Sequence, residues 1–288
     1  MKEVVVLSGK GGTGKTCIVG CFAALADSKV LVDCDVDAAD LHLLLNPLIQ
    51  ENHEFRSGQV AVIDDQRCTK CGLCQELCRF EAIKDSQVDP IACEGCALCF
   101  HICPDEAITM EERLSGQWFI SDTKYGPLVH ARLAIAQENS GKLVALVRQQ
   151  ARQIAERDGL DYIISDGPPG IGCPVISSLS GANVALLVAE PTLSGIHDLE
   201  RVLAVCRCFG VPALACINKY DLNEDNTHHI EDFCRRENIE VVSKLPFDNT
   251  VTEALAKHLP VVEYPESGVA QGIRELWHSV YNLLTQAN

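Results

Sequence analysis

A glycine-rich stretch near the start of the chain has the composition of a phosphate-binding loop. It reads SGKGGTGKT over residues 8–16, with four residues between Gly9 and the run Gly14, Lys15 and Thr16. In such loops, backbone N–H groups point at phosphate oxygens, the lysine contacts the β- and γ-phosphates, and the hydroxyl binds Mg²⁺. An apolar run precedes the stretch and a helix-length segment follows it, which is the context that this loop requires. The predicted nucleotide contacts are Gly9, Lys10, Gly11, Gly12, Thr13, Gly14, Lys15, Thr16 and Cys17.

Eight of the sixteen cysteines lie in two matched rows further along the chain. The rows begin at Cys68 and at Cys93, 25 residues later, and each reads Cys-x2-Cys-x2-Cys-x3-Cys. In bacterial ferredoxins with this spacing, three thiolates of a row bind one [4Fe–4S] cluster and the fourth binds the other cluster. The spacing predicts one cluster bound by Cys68, Cys71, Cys74 and Cys103, and a second bound by Cys78, Cys93, Cys96 and Cys99.

Zinc is the competing interpretation of these cysteines. Tetrahedral zinc sites with four cysteine ligands use two separated Cys-x2-Cys pairs, whereas each row here has three closely spaced cysteines before the fourth. The repeat also extends beyond the ligands, because residues 78–83 match residues 103–108. One departure from the ferredoxin pattern is Arg79, at the place where the second row has Pro104. We therefore expect two [4Fe–4S] clusters in a small module with an internal two-fold repeat.

The remaining sequence predicts the elements that position these residues. Continuously apolar runs predict strands at residues 3–7, 29–32, 162–165, 183–189, 213–217 and 240–245. Helix-length segments cover residues 15–26, 143–157, 197–209, 227–237 and 269–284. Strands that are apolar throughout are buried on both faces, which predicts an α/β fold with a mostly parallel sheet and helices on both faces. We expect a P-loop NTPase domain formed by residues 1–63 and 111–288, with an inserted bacterial-type ferredoxin (α+β) domain at residues 64–110.

The overall composition limits the classes of function. The 288 residues carry a formal net charge of −16, and an acidic surface repels nucleic acid and anionic membranes. No apolar run has the length of a membrane span, and the N-terminus lacks the features of a signal peptide. Closely spaced cysteines without an export signal indicate metal ligands in a reducing compartment. We expect a cytoplasmic protein with no nucleic-acid partner and no stable membrane anchor.

The early lysine, Lys10, distinguishes this loop from an ordinary phosphate loop. The stretch Lys-Gly-Gly-x-Gly-Lys-Thr resembles the deviant Walker A motif of the MinD/ParA/Mrp family, which includes the nitrogenase iron protein. The resemblance implies a homodimer in the ATP state, in which Lys10 contacts the phosphates bound by the partner subunit. A second phosphate contact within the same chain is the alternative role for Lys10.

The same resemblance implies roles at the ends of later strands. Asp35, with Asp33 as the alternative, would orient the attacking water, and residues 167–170 would form a switch that senses the γ-phosphate. The implied catalytic residues are Lys10, Lys15 and Asp35, and the implied Mg²⁺ ligands are Thr16, Asp35 and Asp166. The implied contacts to the base are Asn218, Pro246 and Phe247.

Cys173 lies just after the implied switch. The nitrogenase iron protein has a cluster-ligating cysteine at the corresponding offset, but here no cysteine between Cys103 and Cys173 could supply its second ligand. The resemblance makes Cys173 a candidate metal or redox residue at the dimer interface. A small residue buried at the start of a helix is the alternative.

The whole chain resembles MinD-superfamily ATPases that contain an inserted ferredoxin domain. The resemblance implies ATP hydrolysis, weak in the isolated subunit, that couples dimerisation to electron transfer to a partner redox or cofactor-assembly protein. An iron–sulfur or metal–sulfur cluster carrier is the alternative, although this chain lacks the C-terminal Cys-x-x-Cys of Mrp-type carriers. A MinD-like spatial organiser is a third hypothesis. Residues 273–284 carry little basic charge, however, and their apolar stripe is expected to pack on the sheet.

Overall fold

The computed structural model describes residues 1–134, 139–265 and 267–286, and the chain separates into two compact units. The first unit contains Met1–Asn52, Trp118–Arg132 and Ser140–Asn288. The second contains His53–Gln117 and Leu133–Asn139. We call the second unit the cysteine unit, because both cysteine rows lie in it. Its bounds extend beyond the residues 64–110 expected for an insert.

Strands and helices alternate through most of the chain. Among the described residues the strands are β1 Lys2–Ser8, β2 Lys29–Asp33, β3 Leu48–Ile63, β4 Ile83–Lys84, β5 Gln87–Val88, β6 Ile108–Thr123, β7 Gly126–Leu133, β8 Tyr162–Pro169, β9 Val184–Ala189, β10 Ala213–Asn218 and β11 Glu240–Leu245. The helices are α1 Lys15–Leu25, α2 Leu41–Leu45, α3 Leu73–Leu77, α4 Leu98–Ile102, α5 Ser140–Asp158, α6 Cys173–Leu179, α7 Leu193–Cys208, α8 Glu224–Arg236, α9 Asn249–Ala256 and α10 Val269–Gln286.

A nine-stranded sheet has the order β11-β10-β9-β1-β8-β2-β7-β6-β3. Each pairing from β11 across to β7 is parallel. Along β1, Val4 and Val6 pack into one hydrophobic core, and Val5 and Leu7 pack into another. Helices α1 and α10 contribute to the first core, and α7 and α8 to the second. Burial on both faces explains the continuous apolar runs, and the predicted mostly parallel sheet is confirmed.

Strands β3, β6 and β7 are absent from the sequence prediction. β3 reads LIQENHEFRSGQVAVI, and most of its side chains are exposed. A strand that is mostly exposed does not need a long apolar run, and the sequence of β3 has none. Two residues join β6 to β7, which makes this pair an antiparallel hairpin. In the cysteine unit, Ser115 contacts Ser57 and Asp64 contacts Ala107, so β3 and β6 also run antiparallel. The parallel sheet therefore has an antiparallel edge.

The C-terminal helix α10 packs on the sheet, as its apolar stripe predicts. The buried residues of this helix are Val269, Ala270, Ile273, Leu276, Val280 and Leu284. Trp277 packs against Phe22 of α1, with ring centroids 4.9 Å apart. None of the helices in the described parts of the chain has the length and apolar character needed to cross a membrane.

We expect Leu276→Ala to destabilise the fold by about 2–5 kcal/mol, because Leu276 is fully buried and its truncation leaves a cavity under α10. His278→Ala is the matched control, since His278 is exposed on the same helix, and it should change stability by less than about 0.5 kcal/mol. Urea unfolding followed by circular dichroism measures both. Equal effects of the two variants would show that α10 is not packed as described.

Candidate functional site

The phosphate loop connects the end of β1 to the start of α1. Gly12 and Gly14 have φ values of 78° and 91°, in the left-handed region that glycine adopts without strain. A side chain on Gly14 would also place its Cβ 2.5 Å from Nδ2 of Asn218. Glycine at this position therefore allows both the turn into α1 and the close approach of β10.

Lys15 brings a buried cation into the loop. Its Nζ donates a hydrogen bond to Ser8 Oγ at 2.9 Å, and Ser8 Oγ donates to the carbonyl of Lys10 at 2.6 Å. Burial lowers the pKa of Lys15, while the carboxylates of Asp166, Asp35 and Asp33 act in the opposite direction. The ammonium group is thus held against the inside of the loop, where phosphate oxygens would lie.

Two aspartates meet where β2 and β8 end at the same edge of the sheet. The parallel register pairs Asp33 with Asp166. Asp33 is fully buried and accepts hydrogen bonds from the backbone N–H groups of Asp35 and Leu41, at 3.1 and 3.2 Å. Both Asp33 carboxylate oxygens therefore have partners within the protein. Asp35 is only half-buried, so the geometry favours Asp35 over Asp33 as the residue that faces a ligand.

Asp166 has an unmatched oxygen. Among the described residues, Asp166 Oδ1 is buried without a hydrogen-bond partner. Burial raises the pKa of Asp166 to about 7, against the hydrogen bond with Thr16 and the charge of Lys15, which lower it. A buried orphan carboxylate oxygen beside the Thr16 hydroxyl is a donor set that suits Mg²⁺, which binds hard oxygen ligands. Thr16, Asp35 and Asp166 therefore fit the predicted metal.

A cavity of about 260 Å³ lies beside the loop, between β10 and the segment after β11. Its lining includes Gly12, Gly14, Cys17, Asn218, Pro246 and Phe247, all of them expected from the sequence. Asn218 Nδ2 donates to the carbonyl of Thr13 at 2.8 Å, so Asn218 is fixed against the loop. Phe247 is exposed. The predicted base contacts are thus brought to one cavity.

Lys10 bonds within its own chain. Its Nζ lies 3.0 Å from Thr192 Oγ1 and 3.3 Å from Glu190 Oε2, and its side chain is 31% exposed. Lys219 Nζ pairs with the other oxygen of Glu190 and lies 3.4 Å from the carbonyl of Gly12. The sequence analysis missed Glu190 and Lys219. In the sequence, their position is the one indication of a role, because Glu190 directly follows β9 and Lys219 directly follows β10.

The predicted switch, residues 167–170, covers the end of β8, and Cys173 follows it. Gly170 N–H donates to the carbonyl of Ser8 at 2.9 Å, which ties residues 167–170 to the phosphate loop. Cys173 is the first residue of α6 and is exposed. The alternative interpretation of Cys173, a small residue buried at the start of a helix, does not fit this exposed position. Buried thiols elsewhere in the described chain belong to Cys21, Cys34, Cys93, Cys206, Cys216 and Cys234.

The cysteine unit repeats its backbone as well as its sequence. Helices α3 and α4 are five residues each, and each follows a left-handed residue, Gly72 at φ 80° and Ala97 at φ 61°. Glu81 and Glu106 are a second left-handed pair at matched positions. A small apolar core that includes Ala61, Ala82 and Ile108 lies between the repeats.

Two cavities of this unit are lined by cysteines of both rows. The first is lined by Cys68, Cys71, Cys74 and Cys103. The second is lined by Cys78, Cys93, Cys96 and Cys99, and Cys74 lines it as well. Each cavity thus contains the four cysteines that the spacing assigns to one cluster, with Cys74 shared by both.

Nowhere in the described chain do three or more His, Cys, Asp or Glu side chains converge to hold a single metal ion.

The fold and the loop together define a class of protein. A phosphate loop between the first strand and first helix, at the carboxyl edge of a mostly parallel sheet, is the architecture of P-loop nucleotide-binding proteins. More specifically, residues 4–261 match the family model of the CobQ/CobB/MinD/ParA nucleotide binding domain, and the chain belongs to this family.

Individual relatives and solved structures agree with this family. The chain is 32% identical over 281 residues to an uncharacterized protein of Methanocaldococcus jannaschii, covering 96% of each. It is 24% identical over 160 residues to an iron-sulfur cluster carrier protein of Pyrococcus horikoshii, covering 51% of this chain and 54% of that one. The crystal structure of the cell division ATPase MinD of Pyrococcus furiosus has a TM-score of 0.60 at 22% identity, covering 98% and 99%. MinD of P. horikoshii complexed with Mg-ADP has a TM-score of 0.62 at 20% identity, covering 100% and 98%. At these identities, the two structures show the fold alone.

Asp166→Asn should remove a pH dependence of stability in the nucleotide-free protein. An unfolded aspartate has a pKa near 3.9, whereas burial raises that of Asp166 to about 7. The folded state therefore binds the extra proton between these values, and stability falls as the pH rises from about 4 to about 7. Relative to wild type, Asp166→Asn should gain stability progressively over this range. Urea unfolding at a series of pH values measures the difference.

Asp37→Asn is the control for this experiment, because Asp37 is an exposed aspartate in the segment that follows β2. Its stability should follow the wild-type pH profile. If the pH profile of Asp166→Asn also runs parallel to that of wild type, burial does not raise the pKa of the Asp166 carboxyl as described.

Proposed function

We propose that this chain is a Mg²⁺-dependent ATPase that holds two [4Fe–4S] clusters and couples nucleotide-dependent dimerisation to electron transfer. The acceptor would be a partner redox or cofactor-assembly protein. One observation carries the proposal: a chain of the CobQ/CobB/MinD/ParA family also places its two cysteine rows around two cavities, each lined by cysteines of both rows. A nucleotide-binding family alone would not suggest electron transfer, and a ferredoxin pattern alone would not suggest ATP.

The chain's own residues account for the nucleotide chemistry. Lys15 would neutralise charge on the β- and γ-phosphates, and Asp35 would orient the attacking water. Thr16, Asp35 and Asp166 would hold Mg²⁺, which when bound supplies charge stabilisation at the transferring phosphate. The Mg-ADP complex of the P. horikoshii MinD, a protein of the same fold, supports this assignment.

Partner contacts complete the proposed site. Lys10 is partly exposed, and in the described part of the chain its ammonium group contacts the side chains of Glu190 and Thr192. It can exchange these contacts for a phosphate of a second subunit. Turnover would then be weak in the monomer and stimulated on pairing. Cys173 is exposed directly after the switch, which keeps it as a candidate redox or metal residue at the dimer interface.

The eight cysteines would hold the clusters in the two sets of the cavities. When bound, the clusters supply one-electron redox chemistry. The thiols contribute ligation, and the surrounding residues contribute hydrogen bonds and the degree of solvent exposure that set reduction potential.

Cluster delivery is the second candidate function. It is favoured by relatives whose names describe iron-sulfur cluster carrier proteins, although the match spans about half of each chain. A spatial organiser is a weaker candidate. The MinD likeness supports it, but α10 buries its apolar stripe in the core.

The central test is whether nucleotide changes the clusters. We expect about eight iron atoms per chain after anaerobic purification, and reduction potentials that differ between the nucleotide-free, ADP-bound and ATP-analogue-bound states. Lys15→Ala is the control: it should retain iron and lose both nucleotide binding and the nucleotide effect. Potentials that stay the same in all three states, with nucleotide binding verified, would refute the coupling.

A separate test addresses the role of Lys10. Lys10→Ala should still bind ATP, because Lys15 and the loop are intact, but it should remain monomeric in ATP and lose roughly a hundredfold in turnover. Light scattering and phosphate release measure the two effects, with exposed Lys124→Ala as the control lysine. Normal ATP-dependent dimers of Lys10→Ala with normal turnover would leave Lys10 with no role across the interface.

A further inference from the structure

The two cysteine sets are not equivalent, because the repeat breaks after its last matched residues. In the first copy, β4 turns back at once into β5. In the second copy, the equivalent strand β6 continues for 16 residues. The turn of the first copy consists of Asp85 and Ser86, both with positive φ, and Gln75 of α3 accepts a hydrogen bond from Asp85 N–H at 3.0 Å. The hairpin therefore adds residues to one cavity that the other lacks.

Ser86 is the residue that this turn brings to the first cavity. The Cys68 thiol donates a hydrogen bond to Ser86 Oγ at 3.8 Å, and the Ser86 side chain is half-buried. A cluster-bound Cys68 thiolate has no S–H, so there the Ser86 hydroxyl would be the donor. The position 25 residues later is Glu111, an exposed residue on β6. None of the described residues that line the second cavity carries a hydroxyl group.

Charged residues do not distinguish the two cavities. The first is lined by one cation and one carboxylate, Lys70 and Asp105. The second likewise has one of each, Arg79 and Glu94. Other contacts do distinguish them: in the first set the backbone N–H groups of Lys70 and Ala107 lie 3.4 Å from Cys68 Sγ and Cys103 Sγ, and Ser86 adds the only side-chain hydroxyl among the described lining residues. The solvent exposure of the thiols differs as well. Cys93 of the second set is buried, whereas its counterpart Cys68 is half-exposed.

Both differences act on reduction potential in the same direction. Hydrogen bonds to ligand sulfur and contact with solvent stabilise the extra negative charge of a reduced cluster, which raises its potential. On these grounds, and resting on the proposed function, we propose that Ser86 sets the cluster of Cys68, Cys71, Cys74 and Cys103 to the higher potential of the two. An electron on the cysteine unit then resides mainly on this cluster of higher potential. The first cavity is therefore the side from which the electron passes to an acceptor.

The test is a redox titration of the full chain, purified anaerobically and followed by electron paramagnetic resonance. Wild type should show two separate midpoint potentials. Ser86→Gly removes the hydroxyl and accepts the positive φ without strain, and it should lower the higher midpoint while the lower one stays in place. If water instead replaced the side chain, the higher midpoint would shift upward. The direction of the shift therefore distinguishes loss of the hydroxyl from entry of water.

Gln87→Ala, an exposed change in the same hairpin, is the matched control and should shift neither midpoint. The proposal is overturned if wild type shows one common midpoint, if Ser86→Gly shifts neither midpoint, or if it shifts the lower one. These outcomes leave the proposed function intact, since iron is present and both clusters titrate. Wild-type protein without iron would instead overturn the proposed function, and the role of Ser86 with it.

Discussion

Burial of negative charge at the carboxyl ends of β2 and β8 is the constraint on which the nucleotide site depends. Parallel register places Asp33 beside Asp166, and the sheet excludes water from both. Backbone N–H groups donate hydrogen bonds to both carboxylate oxygens of Asp33. Asp166 Oδ1, by contrast, has no hydrogen-bond partner among the described residues. Lys15 offsets part of the charge, but its ammonium is itself desolvated and bonded to Ser8. This arrangement suits a cation, and in the proposed function a Mg²⁺-nucleotide would supply one together with phosphates for the loop.

Backbone conformation, rather than buried charge, organises the cysteine unit. Left-handed residues at matched positions turn the chain into the five-residue helices α3 and α4. The short spacers then keep three thiols of a row near one cavity, while the fourth follows the chain to the other. Sequence spacing and cavity lining agree for this reason, since both follow from local geometry.

Local rules also explain which features the sequence could predict. The buried parallel strands, which the structure confirms, depend on short segments, and so do the predicted phosphate loop and the two predicted cysteine sets. The edge strands β3 and β6 depend on pairing between residues far apart, and their polar sequences carry no strand signal. Glu190 and Ser86 were missed for a related reason. Each becomes informative only when a distant residue, Lys10 or Cys68, lies beside it.

The placement of the ligands bears on the choice between electron transfer and cluster delivery. Each set takes three thiols from one repeat and one from the other, Cys103 in the first and Cys78 in the second. Opening a set to release its cluster would separate the repeats and expose Ala82 and Ile108 of the small core between them. A carrier gains from ligands on one accessible surface, whereas an electron-transfer protein gains from clusters that stay in place. The interleaved sets therefore favour retained clusters, with nucleotide acting on their potential or on access to a partner rather than on their release.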